Sequence, residues 1–190
     1  MACELPDETR QALGGIGADL RRLGAGGSLR WVRPEGIHLT LKFLGAVLRD
    51  QVVDIETALA NAIEPFEWRV RPARLGTFGG AKVRVVWVGL DGDVTGLAAL
   101  ARRIDDALEP LGFPREARPF AAHLTLARVR DHASPDERKE LAALVQRYGM
   151  PEFPSMPLSE VSLMQSVLGP GGGVYRRLAV FPKAGRGVPA

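Results

Sequence analysis

Apolar side chains recur along the chain at two spacings, one typical of helices and one typical of strands. Spacings of three and four residues predict amphipathic helices, whereas short runs of alternating or β-branched apolar residues predict strands. Ser134, followed by Pro135, is the predicted N-cap of the last helix. The predicted helices cover residues 7–23, 50–63, 94–111 and 135–148, and the predicted strands cover residues 2–5, 29–32, 37–44, 66–73, 83–90, 120–129, 158–165 and 175–181.

The order of these elements favours a mixed α+β fold. Helices and strands alternate, but several consecutive strands are separated by only a few residues, as antiparallel neighbours can be. Parallel strands would need a longer crossover between them. We therefore expect antiparallel-rich sheets with flanking helices rather than a doubly wound parallel sheet.

One nine-residue segment occurs twice in related form. Residues 33–41 are Arg-Pro-Glu-Gly-Ile-His-Leu-Thr-Leu, and residues 118–126 are Arg-Pro-Phe-Ala-Ala-His-Leu-Thr-Leu. Six of the residue types therefore recur in register, at a constant offset of 85 positions (33 to 118). Two copies exclude a solenoid and predict two pseudo-symmetric lobes. We expect these lobes to form one domain over residues 1–182, followed by a flexible tail over residues 183–190.

Each copy of the repeat predicts a strand with two different faces. Because side chains alternate along a strand, His38 and Thr40 lie on one face, and so do His123 and Thr125 in the second copy. The intervening leucines lie on the opposite faces, where each lobe can bury them. If the lobes pack about a two-fold axis, the two imidazoles and two hydroxyls converge on one cleft between the lobes.

Paired imidazoles and hydroxyls suit in-line displacement at phosphorus. The attacking water must lose a proton and the departing ribose oxygen must gain one, and two imidazoles with ordinary pKa values of about 6.5 can serve as base and acid. Threonine hydroxyls can donate hydrogen bonds to the non-bridging phosphate oxygens. A lone histidine in a strand is more often structural, but the matched motifs use two of only three histidines. The third, His132, lies in a polar turn, and we expect it to be exposed.

Composition narrows the classes of protein that the chain can belong to. With 190 residues, 46% of them hydrophobic, the chain can bury a substantial core. Its longest apolar runs are too short to cross a membrane, and a single cysteine, Cys3, permits no internal disulfide. We therefore expect a cytoplasmic protein without a membrane partner. The net charge of +3 favours anionic partners such as RNA, but a composition typical of a GC-rich coding sequence explains it equally well.

The motifs at residues 38–41 and 123–126 resemble those of the two-histidine (2H) phosphoesterases. Within that superfamily the chain is most similar to the RNA 2′,3′-cyclic phosphodiesterases, historically called 2′-5′ RNA ligases. The resemblance covers nearly the whole chain and includes residues 5–8, 42–45 and 165–175. It implies metal-independent hydrolysis of an RNA 2′,3′-cyclic phosphodiester to a 2′-phosphomonoester, with RNA or a small nucleotide as partner and no cofactor. We also expect a monomer. One departure is the beginning of the chain, where the first strand is expected to be short or missing.

The resemblance also implies the roles of individual residues. It makes His38 the proton donor and His123 the proton acceptor, an order that the nearly symmetric repeat cannot provide by itself. Thr40 and Thr125 are expected to bind phosphate, and so is Arg128 by the resemblance. Strict alternation would place Arg128 on the face opposite His123, so a bulge or the end of the strand must redirect it.

Several alternatives remain open from the sequence. The same acid and base could catalyse 2′-5′ ligation of RNA, or hydrolyse small cyclic-phosphate or 2′,5′-linked nucleotides. A non-catalytic RNA- or nucleotide-binding module is a further alternative, which the intact histidines and threonines of both motifs argue against.

Two groups of residues near the motifs have expected structural roles. The glycine-rich segment at residues 169–173 lacks the Gly-Lys-Ser/Thr ending of a P-loop, and we expect a hairpin loop at the mouth of the cleft. Phe43, Phe120 and Tyr175 are candidates for stacking on a base, although core packing is the favoured role for Phe43 and Phe120.

The first prediction concerns metal. No carboxylate occupies matching positions in both repeats, and the only cysteine is remote from them, so the sequence is poor in metal ligands. We expect turnover of a cyclic phosphate to be unchanged by EDTA. Activity that EDTA abolishes and that added zinc or manganese restores would contradict this expectation.

Overall fold

A computed structural model describes residues 1–25, 27–80, 82–169 and 172–182. Within these ranges the chain forms four α-helices and nine β-strands. The helices are α1 (Asp7–Arg22), α2 (Gln51–Ala62), α3 (Val94–Leu108) and α4 (Pro135–Arg147), and the strands are β1 (Ala2–Glu4), β2 (Leu29–Trp31), β3 (His38–Thr40), β4 (Trp68–Phe78), β5 (Val85–Gly92), β6 (His123–Val129), β7 (Met156–Leu158), β8 (Val161–Gly169) and β9 (Gly172–Phe181). The expected tail at residues 183–190, and residues 170 and 171 of the expected hairpin loop, lie outside the described residues.

The helices agree closely with those predicted from the sequence. Ser134 caps α4 as expected: its side chain accepts a hydrogen bond from the Glu137 backbone N–H at 3.2 Å, and the Glu137 carboxylate accepts one from the Ser134 N–H at 2.7 Å. The strands differ more. The predicted strand 37–44 is limited to β3, and the short β7 was not predicted because it contains Pro157, which a strand tolerates at the edge of a sheet, where β7 lies.

All nine strands form one antiparallel sheet with two similar halves. The strand order is β7-β4-β5-β6-β3-β1-β8-β9, and β2 pairs with β6 alongside β3. Only two residues connect β7 to β8, although six steps separate these strands in the order, so the sheet must curl. The two central strands, β6 and β3, are the two copies of the repeat. The expected α+β fold with two pseudo-symmetric halves is thus confirmed, and the halves share a single sheet.

The helices cover one face of the sheet and form the core with it. Apolar residues of all four helices pack in one cluster with Leu39 of β3 and Leu124 of β6, both fully buried. The short β1 lies between β3 and β8 and is therefore central. Its residue Cys3 is fully buried, and burial raises the pKa of its thiol to about 12. Among the described residues, no helix is long and apolar enough to span a membrane.

A buried ion pair connects the end of the first repeat to α3. The Lys42 ammonium, on a side chain only 3% exposed, contacts the carboxylate of Asp105 and donates to the Pro114 carbonyl at 2.7 Å. The other carboxylate oxygen of Asp105 accepts from the Glu116 N–H at 3.2 Å. Residues 114–116 lead towards the second repeat, so this pair fixes the segment between the helix and His123.

The second prediction follows from this ion pair. Replacing Lys42 with methionine leaves the Asp105 carboxylate buried without its counter-charge, and we expect the free energy of unfolding to fall by about 3–5 kcal/mol in denaturant titrations. As the control, Arg103→Met removes the exposed ion pair with Glu64 (3.3 Å) and should cost about 1 kcal/mol or less. Equal losses in the two variants would contradict the assignment of Lys42 as a structural charge.

Candidate active site

The four polar side chains of the two repeats lie on one face of the sheet. In the antiparallel pairing of β3 with β6, Leu39 lies opposite Leu124. One residue further in each direction, His38 is therefore opposite Thr125 and Thr40 is opposite His123. Because side chains alternate along strands, these four groups share the face that the two leucines do not occupy. The predicted convergence of the two motifs therefore agrees with the register.

Burial separates this face from the helix-covered face. Leu39 and Leu124 are fully buried, whereas His38, Thr40, His123 and Thr125 are each partly exposed. Among the described residues, neither threonine hydroxyl has a hydrogen-bond partner in the protein. Both hydroxyls are thus available to a ligand.

Each histidine is oriented by a backbone carbonyl two residues earlier in the chain. His38 Nδ1 lies 2.9 Å from the Gly36 carbonyl oxygen, and His123 Nδ1 lies 2.7 Å from that of Ala121. A carbonyl only accepts, so each Nδ1 carries a proton and donates it, which leaves Nε2 as the nitrogen that exchanges protons with a ligand. The two repeats therefore present their imidazoles in the same tautomer.

An aromatic ring also packs edge-on against each imidazole. Tyr175 contacts His38 with ring centroids 4.7 Å apart, and Phe78 contacts His123 with centroids 4.9 Å apart. Both aromatics lie near the ends of β-hairpins, β8–β9 and β4–β5 respectively. Trp87 of β5, which pairs with Thr125, also lies beside His123, and the centroids of their rings are 6.5 Å apart. Sequence analysis missed Phe78 and Trp87, because only the pairing of distant strands brings them to the motif.

The surroundings of His38 favour its neutral form. Burial lowers the pKa of His38, and the hydrogen bond to the Gly36 carbonyl and the charge of Glu4 oppose this effect. Glu4 lies opposite His38 on β1. Its carboxylate is bound by the Arg177 guanidinium at 2.6 and 2.8 Å and by the Ser162 hydroxyl at 2.7 Å, contacts that lower the pKa of Glu4. Glu4 is therefore held ionised by these partners.

A β-bulge in β6 turns Arg128 towards the motif side chains. Trp87 of β5 pairs with Thr125, but the next residue of β5, Val86, pairs with Ala127, so β6 contains one extra residue. The two consecutive residues Leu126 and Ala127 are accordingly both buried. Val85 then pairs with Arg128, and Val85 shares a face with Trp87. The sequence analysis required either a bulge or the end of the strand to redirect Arg128. A bulge is present, and the exposed Arg128 lies on the same face as His123 and Thr125.

The aromatic residues near the motifs differ in part from expectation. Phe43 is 78% exposed, so the prediction that it packs in the core is wrong. The short β3 ends at Thr40 and Lys42 takes the buried position instead, because its ammonium finds Asp105. Phe120 is partly buried against the core, in agreement with the favoured prediction, and His132 is exposed as expected. Within the described residues there is no group of three or more histidine, cysteine or acidic side chains that could hold a metal ion.

The two imidazoles, two hydroxyls and nearby guanidinium on one sheet face are the arrangement that the resemblance to the 2H phosphoesterases led us to expect. Comparison with known families agrees. The model of the LigT-like phosphoesterase family matches residues 4–87 and 88–175, two segments that each contain one His-x-Thr motif. The chain belongs to this family.

Several relatives of the chain carry the same name. The RNA 2′,3′-cyclic phosphodiesterase of Methanothermobacter thermautotrophicus is 35% identical over 185 residues, which cover 95% of this chain and 96% of the relative. That of Archaeoglobus fulgidus is 32% identical over 185 residues, 95% and 97% of the two chains.

Solved structures agree with the fold. The crystal structure of E. coli LigT in its apo form has a TM-score of 0.74 at 27% identity, and the coverage is 95% of this chain and 93% of that one. E. coli LigT has also been crystallised in complex with phosphate, and that structure has a TM-score of 0.71 at 25% identity with the same coverage.

The third prediction is a titration. In an NMR pH titration the pKa of His38 should lie below the ordinary value of about 6.5, because burial disfavours the imidazolium. Inorganic phosphate should raise it, because an anion near Nε2 favours the protonated ring. The exposed His132 is the internal control, and its resonances should not respond to phosphate. A pKa of His38 at or above 6.5 without phosphate, or no response to phosphate, would contradict the site.

Proposed function

We propose that the protein hydrolyses the 2′,3′-cyclic phosphodiester at the end of an RNA strand to a 2′-phosphomonoester. The observation that carries the proposal is the arrangement of two His-x-Thr strands as direct antiparallel neighbours, with both imidazoles on one face and both Nδ1 atoms engaged. The activity of the relatives supports the same substrate class.

The proposed reaction is an in-line displacement by water. His123 accepts a proton at Nε2 as the water oxygen forms its bond to phosphorus, and the bond from phosphorus to O3′ breaks. His38 donates its Nε2 proton to the departing O3′. The product keeps the phosphate on O2′, and the two histidines end with their protonation states exchanged, which solvent then resets.

The carbonyls of Gly36 and Ala121 contribute to both proton transfers. Each accepts a hydrogen bond from the Nδ1–H of its histidine and so stabilises the positive charge of the imidazolium form. The lowered pKa of His38 makes its protonated ring a stronger acid, which suits a donor to a departing alkoxide. The negative charge of the bound substrate raises the pKa of His38 again, so that Nε2 is protonated before the reaction.

Three further side chains stabilise the phosphate. The hydroxyls of Thr40 and Thr125 lie next to the histidines in the register and can donate to the non-bridging oxygens, where negative charge is held during displacement. Arg128 lies beyond Thr125 on the same strand and face, and its guanidinium supplies charge as well as donors.

The fourth prediction tests this assignment. His38→Ala and His123→Ala should each lower kcat by about 100-fold or more on an RNA oligonucleotide ending in a 2′,3′-cyclic phosphate, because each removes one proton transfer. Since both side chains are partly exposed, the variants should remain folded by circular dichroism. Near-normal turnover by either variant would remove that histidine from the mechanism.

Matched threonine variants provide the control for this experiment. Thr40→Ala and Thr125→Ala remove one donor each and should lower kcat less than the histidine variants, because they weaken the stabilisation of the phosphate without removing a proton transfer. Product analysis distinguishes the proposed reaction from its alternatives. A 2′-phosphomonoester agrees with the proposal, whereas a 3′-phosphate, a 2′-5′ linkage as the main product, or binding without turnover would contradict it.

A further inference from the structure

A second arginine lies directly opposite Arg128 on the neighbouring strand. In the pairing of β2 with β6, Arg30 is the partner of Arg128. Cross-strand partners share a face, so Arg30 lies on the same face as His123 and Thr125. Its neighbour Trp31 points the other way, where its ring lies against Gly17 of α1. Arg30 is therefore an exposed side chain on the face that carries the motifs.

The two guanidinium groups have no paired counter-charge in the part of the chain that the structure describes. Within the described ranges, neither Arg30 nor Arg128 forms an ion pair or a side-chain hydrogen bond. Two other strand arginines are paired, Arg177 with Glu4 and Arg74 with Asp91 at 3.3 Å, so what distinguishes Arg30 and Arg128 is that they lie directly opposite each other without an anionic side chain of the described residues between them. Like charges directly opposite each other in a sheet are unfavourable. A bound anion between the two arginines would remove this repulsion.

The distance between the arginine pair and the second motif is similar to the distance between neighbouring phosphates of an RNA strand. Thr125 and Arg128 pair with Trp87 and Val85, which are two residues apart on β5. Two residues of a strand span roughly 7 Å. This advance is comparable to the distance between neighbouring phosphates along an RNA strand. A phosphate at Thr125 would therefore place the next one within reach of the arginine pair.

We propose that Arg30, together with Arg128, binds the internal phosphodiester that precedes the terminal cyclic phosphate. The inference rests on the proposed function and adds a preference for RNA oligonucleotides over mononucleoside cyclic phosphates. A guanidinium has five N–H donors, so Arg128 can contact the reacting phosphate and still contribute to this second site. Arg30 has no neighbouring motif residue on its own strand and serves the internal phosphodiester.

The test compares a substrate that contains an internal phosphodiester with one that lacks it. We would measure kcat/KM on a short RNA ending in a 2′,3′-cyclic phosphate and on the matching mononucleoside 2′,3′-cyclic phosphate. For Arg30→Ala, the ratio of kcat/KM for the oligonucleotide to that for the mononucleoside should fall about 10-fold, the size expected for a charge-assisted hydrogen bond. The change should lie mainly in KM for the oligonucleotide. The salt dependence of that KM should also weaken, with a slope reduced by about 0.7, because the variant neutralises one phosphate fewer of a single strand.

A matched control separates this site from general positive charge. Arg102 is an exposed arginine of α3 on the helix-covered side of the sheet, and Arg102→Ala should leave the ratio unchanged. The melting temperature of Arg30→Ala should be equal to that of the original protein or higher, because the variant removes the repulsion between two like charges. A lower ratio caused by misfolding is thereby excluded.

The outcomes distinguish this inference from the proposed function. An unchanged ratio in Arg30→Ala, or equal losses on both substrates, would overturn the internal-phosphodiester site while leaving cyclic-phosphate hydrolysis intact. If the original protein turns over neither substrate, the proposed function fails. Binding of a 3′-phosphorylated RNA oligonucleotide would then decide the arginine site separately, because Arg30→Ala must still weaken it about 10-fold for the inference to hold.

Discussion

The antiparallel contact between β3 and β6 is the constraint on which the site depends. These strands are short and central, and the pairing of Leu39 with Leu124 sets where every polar group of the motifs lies. Both leucines belong to the core, so the hydrophobic effect fixes the register that the chemistry needs. A slip of one residue would turn the imidazoles towards the helices and the leucines towards solvent. The packing of the two leucines in the core therefore also sets the positions of the proposed catalytic side chains on the opposite face of the sheet.

The two halves of the site are alike in construction but differ in their surroundings. Each histidine donates from Nδ1 to the carbonyl two residues before it and has an aromatic ring at its edge. The differences lie in the side chains that surround each imidazole. His38 has the phenol of Tyr175 and the ionised Glu4 nearby, whereas His123 is enclosed by Phe78 and Trp87. Burial lowers the pKa of His38, and the different surroundings give a physical basis for the different roles that we propose for the two histidines.

Local pattern was sufficient for the helices and for the four motif residues. Three features depend only on nearby sequence and could therefore be predicted. They are the apolar spacing of the helices, the N-cap at Ser134 and the alternation of side chains in His-x-Thr. The aromatic partners Phe78 and Trp87 could not, because a register between distant strands brings them to His123. Phe43 was misassigned for a related reason. Its apolar side chain suggested the core, but the buried position went to Lys42, whose charge is compensated by an acid 63 residues away. The sequence left open whether a bulge or the end of the strand redirects Arg128, because no residue type in β6 indicates an extra position.

The exposed Phe43 has a consequence for the direction of a bound strand. In the alignment of the two repeats, Phe43 occupies the position that Arg128 occupies in the second copy, and both side chains are exposed. An RNA strand runs from 5′ to 3′, whereas a site with perfect two-fold symmetry looks the same from either end. Such a site would accept its ligand in two equivalent orientations, only one of which presents the scissile bond to the acid. For the proposed RNA substrate, the benzyl group of the first copy and the guanidinium of the second make the two copies unequal at this position, so the duplicated scaffold is not symmetric with respect to strand direction.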